Sequence, residues 1–251
     1  MSSILIEVAA FTPTAALVAA ENGANRIELC SGFAEGGLSP SIGSVSLVRE
    51  RIDIPLHVLI RPRVGDFVYN KYELLAIEKE IIAYKQLGVN GVVIGVLNNN
   101  ATINIDALKR LIEVARPMSV TFHRAFDQCL TPLKELEKLI DCGVDRVLTS
   151  GCKPSVIEGI DTLKQLIKVA DNHIIILPGG GVSPDNAKEI VQTLGIAELH
   201  LSGKIMTNSP MKELPIEVSL CSPSELLDFS WYECDGNKIL AMRQLLNQIE
   251  Q

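Results

Sequence analysis

Short apolar runs alternate with amphipathic stretches along almost the whole chain of 251 residues. The runs are rich in β-branched residues, which is typical of strands buried on both faces of a parallel sheet. The predicted strands are Ile4–Val8, Arg26–Leu29, Leu56–Ile60, Val92–Ile94, Val120–Phe122, Arg146–Leu148, Ile174–Leu177 and Glu198–Leu201. Helices are predicted between them, because Thr12-Pro13, Thr131-Pro132 and Ser183-Pro184 each place a capping hydroxyl before a proline suited to the first helical turn.

A weak internal repeat marks the entrance to every second predicted strand. Each copy starts at a glycine suited to the left-handed end of a helix and then leads into a strand. The copies begin at Gly23, Gly88, Gly143 and, more loosely, Gly195. Such alternation is expected where (βα)₂ units close into an eight-stranded barrel. We therefore predict an α/β fold, a (β/α)8 TIM barrel that forms a single domain over residues 1–251.

One stretch, residues 204–236, shows no clean period before a final helix predicted at about Asn237 to Glu250. Long irregular connections are uncommon in compact domains and often serve as lids or contacts. The stretch contains three prolines, the single tryptophan and two cysteines. A coil packed over one end of the barrel and a lid or oligomer contact are both open interpretations.

Composition narrows the class of protein. The chain is 47% hydrophobic and has a net charge of −7, so no general positive field attracts nucleic acid or an anionic membrane. We find neither a basic, apolar leader nor a run of membrane-spanning length, and therefore expect a cytoplasmic protein. The six cysteines show no CxxC pair. In a chain with this much core they are expected to be free thiols.

Two predicted strands end abruptly in cationic or titratable side chains. Arg61, Arg63 and Asp66 follow the third strand, and His123, Arg124 and Asp127 follow the fifth. In parallel α/β folds the carboxyl ends of strands carry the chemistry.

Two carboxylates lie within otherwise apolar strands, Glu7 in the first and Glu28 in the second. A buried carboxylate needs a counter-charge, for which Arg61, Arg124 and Arg26 are candidates. Carboxylates and a histidine in one mouth could divide acid and base roles, so Glu7, Glu28, Arg61, His123 and Arg124 are the candidate catalytic residues. A structural ion-pair network is the alternative interpretation.

A glycine-rich loop, residues 178–183, joins the seventh strand to a helix. Its glycines allow close approach of an anion, and barrels often hold phosphate between the loops after strands seven and eight. We therefore predict a small anionic ligand here. The candidate substrate-binding residues are Arg63, Asp66, Asp127, Ser150, Gly179, Gly180, Gly181, His200 and Ser202.

Thiols and imidazoles near the mouth suggest a soft-metal site. Cu(I) prefers thiolate ligands, with imidazole acceptable. Cys30 and Cys152 are the candidate metal ligands, and His123 and His200 could share the mouth with them. None of these residues has diagnostic metal-site spacing.

Six segments taken in order resemble the copper homeostasis protein CutC family. They are IELCSGFAEGGLSPSIG at 27–43, LIRPRVGDFVYN at 59–70, GVVIGVL at 91–97, VTFHRAFDQC at 120–129, DRVLTSGCKPS at 145–155 and LPGGGV at 177–182. The resemblance implies a TIM barrel, homo-oligomers that are often dimers, and copper binding and tolerance with no assigned reaction. It marks Glu7, Glu28, Arg61, Arg63, Asp66, His123, Arg124 and Asp127 as family-pattern residues. Members often carry cysteines where this chain has Ala9, Ala10 and Val68, so only Cys30 keeps a proposed thiol position.

Three functions follow as hypotheses. The first is copper handling in the cytoplasm, and the second is an enzyme that acts on a small anionic or phosphorylated substrate by acid/base chemistry. The third is a binding module whose oligomer surface involves residues 204–236.

Overall fold

The computed structural model describes residues 4–213 and 228–249. Eight parallel strands form its central sheet, and each predicted strand is confirmed to within about two residues at either end. The strands are β1 Leu5–Ala10, β2 Arg26–Leu29, β3 Leu56–Leu59, β4 Gly91–Ile94, β5 Ser119–Phe122, β6 Arg146–Thr149, β7 Ile175–Pro178 and β8 Glu198–Leu201. Their order in the sheet is β7-β6-β5-β4-β3-β2-β1-β8. A parallel bridge between Gly179 and His200 joins the two ends and closes the barrel.

Helices alternate with the strands and cover the outside of the barrel. They are α1 Pro13–Glu21, α2 Ile42–Arg49, α3 Lys71–Gln86, α4 Ile105–Ala115, α5 Pro132–Asp141, α6 Ile160–Ala170, α7 Pro184–Leu194 and α8 Gly236–Ile249. A short 3-10 helix, Arg124–Gln128, follows β5. The predicted (β/α)8 TIM barrel is therefore confirmed.

Local signals account for several helix boundaries. The Thr12 hydroxyl accepts a hydrogen bond of 3.0 Å from the Ala15 N–H, which caps α1 as predicted. The Thr131 hydroxyl makes no such bond, so at α5 the proline alone carries the starting signal. All four repeat glycines have positive φ, from 63° at Gly195 to 104° at Gly23, which confirms their left-handed conformation.

The stretch predicted to be irregular is ordered at both ends, which corrects that expectation. Strand β9, Lys204–Asn208, pairs antiparallel with β10, Ser230–Cys234, and we call this pair the ribbon. The Thr12 hydroxyl donates a 2.6 Å hydrogen bond to Glu233 and so ties the ribbon to the start of α1. Pro215, Cys221 and Pro223 lie outside the described residues.

The core lies between the barrel and its helices. One apolar cluster there contains fully buried side chains from strands and helices alike, such as Ile6, Phe122 and Leu163. The barrel interior is more polar, because Glu7, Arg26, Glu28, His57, Arg146 and Glu198 are buried within strands. In the part of the chain that the structure describes, no helix combines the length and apolarity needed to cross a membrane.

Candidate functional site

A buried ion-pair network spans the barrel interior. Parallel pairing places Glu7 of β1 beside Arg26 of β2. The Arg26 guanidinium donates through Nε to Glu7 and through Nη2 to Glu198, the latter at 2.5 Å. Arg146 donates to the same Glu198 oxygen at 3.3 Å. Of the three predicted counter-charges, Arg26 is therefore the one that pairs with Glu7.

Next to this network, Glu7, Glu28 and His200 form a cluster at the carboxyl side of the barrel. His200 lies beside Glu7 in the β1–β8 register, and its Nδ1 is 2.8 Å from Glu7 Oε1. The same Nδ1 is 3.6 Å from Glu28 Oε2. The ligand atoms of the three side chains lie within 4.8 Å of one another.

The two carboxyls of this cluster have opposite pKa shifts. Burial alone would raise the pKa of Glu7, but the His200 hydrogen bond and the Arg26 charge hold it well below its usual range. Burial raises the pKa of Glu28 to about 7, because the lowering effects of His200 and Arg26 do not offset it and Glu7 adds repulsion. Burial alone would lower the pKa of His200, yet its hydrogen bond to Glu7 and the Glu28 charge raise it. Glu7 is thus a fixed anion and Glu28 can change protonation near neutral pH, while the two carboxyls favour the protonated form of His200.

His200 opens onto a cavity of about 690 Å³ at the barrel mouth. Ala9, Phe11 and Phe33 form an apolar part of its wall. Arg124, Lys204 and Lys238 bring positive charge, and the start of α7 forms another side. The volume suits a small metabolite.

The predicted anion-binding residues separate into two groups. Gly180, Gly181, Ser202 and His200 line the cavity, as does Arg124, which was predicted as a catalytic residue. Gly179 instead serves barrel closure, and a Cβ there would lie 2.5 Å from Leu148 Cδ1.

Asp127 and Ser150 lie behind Arg124 and hold it in place. The Arg124 Nε donates to Asp127 and Nη2 to the Ser150 hydroxyl, both at 2.8 Å. Asp127 also accepts hydrogen bonds from the Ser150 and Cys152 N–H groups, each at 3.1 Å. Both residues therefore shape the loop after β6, and Arg124 is the member of this trio that reaches the cavity.

The Arg61 side chain is hydrogen-bonded to the backbone of its own chain. Its guanidinium donates to the carbonyls of Glu35, Gly37 and Gly65 at 2.8, 2.9 and 2.8 Å. It thereby fastens the loop after β2 to the loop after β3. This geometry places Arg61 in support of the mouth, away from the cavity lining.

Arg63 and Asp66 make a local loop network. Arg63 donates to Asp66 at 2.9 Å and to Glu73 at 2.5 Å, and Asp66 is exposed. Asp66 also accepts a 3.1 Å hydrogen bond from the Val68 N–H. The two residues stabilise the approach to α3 and lie apart from the cavity lining.

His123 is buried in the barrel wall. Its Nδ1 accepts a 3.0 Å hydrogen bond from the Ala125 N–H, and its Nε2 has no hydrogen-bond partner among residues 4–213 and 228–249. Burial and the Arg61 charge lower its pKa to about 3. His123 is therefore neutral at physiological pH, and His200 replaces it as the histidine that faces the cavity.

The two candidate metal cysteines do not meet. Cys30 follows β2 and Cys152 follows β6, and these strands lie on opposite sides of the barrel. Burial raises the pKa of the Cys30 thiol well above its usual value and that of Cys152 to about 11. Cys30 instead packs in a small apolar cluster with Leu59 and Val93.

Sequence reasoning missed several members of the site. His57 lies within an apolar strand, and Arg146 and Glu198 are the first residues of β6 and β8; a charged or titratable residue in an otherwise apolar strand is a signal that could have found them. Lys204 and Lys238 gave no comparable signal. Lys204 is the first residue of the ribbon and Lys238 lies in α8 just after it, and the ribbon's pairing brings together segments far apart in the chain.

The architecture and the mouth define the class of protein, a (β/α)8 barrel with a buried acid–imidazole cluster beneath a cationic cavity. The sequence model of the CutC family matches residues 4–205. A CutC family protein from Pectobacterium atrosepticum is 43% identical over 96% of this chain and 95% of its own. The copper homeostasis protein cutC homolog of Homo sapiens is 36% identical over 99% of this chain and 91% of its own.

A solved structure gives the same assignment. The CutC crystal structure from Streptococcus agalactiae has a TM-score of 0.75 and 33% identity, and covers 78% of this chain and 97% of its own. The chain belongs to the CutC family.

Proposed function

We propose that this CutC-family protein acts in copper homeostasis, the role for which its human relative is named. The chemistry and position of the possible donor atoms indicate which residues would hold copper. A Cu(I) site built on Cys30 and Cys152 does not fit, because the two thiols lie on opposite sides of the barrel and both have raised pKa values.

The carboxylate and imidazole donors of Glu7, Glu28 and His200 fit a divalent ion better. This proposal rests on one observation: their ligand atoms lie within 4.8 Å of one another. Oxygen and nitrogen donors suit Cu(II), which ranks high in affinity for such sites. A cation there would also offset the repulsion between Glu7 and Glu28. Copper is the cargo in this proposal.

Copper titration with matched variants tests this assignment. We expect one tightly bound Cu(II) per chain in competition with a weak chelator. The His200→Gln variant should weaken binding by at least about tenfold, because it removes the imidazole donor. The Cys30→Ser/Cys152→Ser variant and the exposed-histidine control His173→Gln should bind as the parent does. Loss of binding in the cysteine variant, or no binding by the parent, would contradict the proposal.

A second candidate function is an enzyme that acts on a small anionic substrate by acid/base chemistry. The observation in its favour is the position of His200, which lines the cavity, with Glu7 2.8 Å from its Nδ1 and Glu28, whose pKa burial raises to about 7, 3.6 Å from the same nitrogen. In this proposal His200 exchanges a proton with the substrate, and Glu28 takes up or supplies the proton inside.

A conversion screen tests the second candidate. Incubation with mixed organic acids and phosphate esters, followed by mass spectrometry, should reveal one converted compound. The His200→Asn variant should slow that conversion by about 100-fold or more, the usual contribution of an acid–base group. The Lys188→Gln variant, on the exposed side of α7, should convert at the parental rate. Equal rates for the parent and His200→Asn would rule out this role for His200.

We also propose a cellular location and an oligomeric state for the protein. Five free cysteines among the described residues support a reducing compartment, and we propose the cytoplasm. Exposed apolar side chains on the ribbon, Ile205, Met206 and Trp231, support a homodimer that buries this surface.

A further inference from the structure

We infer that the barrel-mouth cavity contains a subsite for the phosphate group of a small phosphate monoester, formed by Arg124, Lys204, Lys238 and the loop around Gly180 and Gly181. This inference deepens the second candidate function and rests on it, since it names the substrate class of that cavity. Its first support is the local charge. The chain has a net charge of −7, yet three cationic side chains converge here against one carboxylate, Asp185, among the described lining residues.

The two lysines are positioned by neutral groups. The Lys204 ammonium lies 4.8 Å from the ring centroid of Phe33 and 4.9 Å from that of Tyr232. Lys238 donates a 2.7 Å hydrogen bond to the carbonyl of Lys204. Within residues 4–213 and 228–249 neither lysine forms a salt bridge. Their charges are therefore held in place but left available to a ligand.

The glycine loop brings backbone close to the same space. Gly180 and Gly181 have φ values of 116° and 74°, which other residues adopt only under strain. A Cβ on Gly180 would lie 3.3 Å from Arg124 Nη1, so the guanidinium packs directly against the loop. The loop leads into α7 through Ser183 and Pro184, which also line the cavity. The helix dipole thus adds positive potential to that of the side chains.

The charge balance and the volume select the ligand class. A phosphate monoester carries a charge of about −1.5 to −2 at pH 7, which complements the two lysines together with Arg124, whose charge Asp127 partly balances. Inorganic phosphate alone would leave most of the cavity of about 690 Å³ unfilled. Ala9 and His200 line the same cavity, so an organic group attached to the phosphate would occupy space that His200 also borders.

Direct binding of inorganic phosphate tests the subsite without requiring any turnover. Equilibrium dialysis at fixed ionic strength should show saturable phosphate binding to the full chain, and weaker binding of acetate. The Lys204→Gln and Lys238→Gln variants should each weaken phosphate binding by about tenfold, through loss of a charge-assisted contact. The Lys188→Gln control removes the same charge elsewhere on α7 and should bind as the parent does. Thermal unfolding without phosphate checks that each variant is folded.

Phosphate binding and substrate conversion test the subsite and the enzyme proposal separately. No phosphate binding by the parent, equal binding of acetate, or equal weakening by Lys188→Gln would overturn the subsite. Those results would leave the His200 conversion test unaffected. Phosphate binding with no His200-dependent conversion would support the subsite and contradict the enzyme proposal.

Discussion

Replacing Arg26 with methionine is expected to lower the free energy of unfolding by about 3–5 kcal/mol, the cost of breaking a buried ion pair from one side. Arg26 is 3% exposed and donates to both Glu7 and Glu198. Methionine fills much of the same volume but leaves two buried carboxylates without their shared cation. His200 and Arg146 remain as partial partners, so the variant is expected to fold with reduced stability.

Urea denaturation of the Arg26→Met variant measures this effect, with the Arg110→Met variant as a matched control. Arg110 pairs with Glu78 at 2.5 Å, but its side chain is 60% exposed, so the control should lose less than about 1 kcal/mol. The Arg26→Met/Glu7→Gln double variant should recover part of the loss, because it removes one uncompensated charge. Equal losses for Arg26→Met and Arg110→Met would show that the interior network contributes no more than a surface pair.

The barrel was predictable because its signals are local. Each strand of the sheet is a short apolar run, and the repeat glycines mark where a helix ends before alternate strands. The ribbon lacked such a signal. Its pairing joins Lys204 to Cys234 across 29 intervening residues, and the exposed β9 shows little burial pattern. Strand pairing over that separation depends on tertiary contacts that periodicity does not record.

The candidate site was only partly predictable. Strand ends correctly indicated the mouth as the place where polar groups gather, and Arg124, His200 and Gly180 do line the cavity. The partner of each side chain could not be inferred in the same way. Arg61 and Arg124 both follow strands, yet the loop after β2 folds back and supplies carbonyls to Arg61. Whether a guanidinium meets a ligand or its own backbone is decided by loop geometry.

The decrease in the free energy of unfolding at acid pH is expected to be smaller when His123 is replaced with asparagine. Burial and the Arg61 charge lower the pKa of His123 to about 3, whereas an unfolded histidine takes up a proton at about pH 6.5. The unfolded chain therefore binds one more proton than the folded chain between these pH values. Stability should decrease as the pH falls through this window, by about 1.4 kcal/mol per pH unit from this histidine. At pH 5 this histidine therefore lowers the free energy of unfolding by about 2 kcal/mol compared with its value well above pH 6.5.

The slope of unfolding free energy against pH, measured by urea denaturation from pH 7 to pH 5, tests this expectation. Burial also lowers the pKa of His57 to about 3, while the raised pKa of Glu28 acts in the opposite direction. These contributions remain in the His123→Asn variant, so the difference in slope isolates one proton. Asparagine loses ring contact with Phe67, and the variant should be less stable than its parent at pH 7. His173→Asn, at an exposed position, should keep the parental slope. A parental slope in His123→Asn would contradict a buried neutral His123, and would reopen its assignment as a proton carrier.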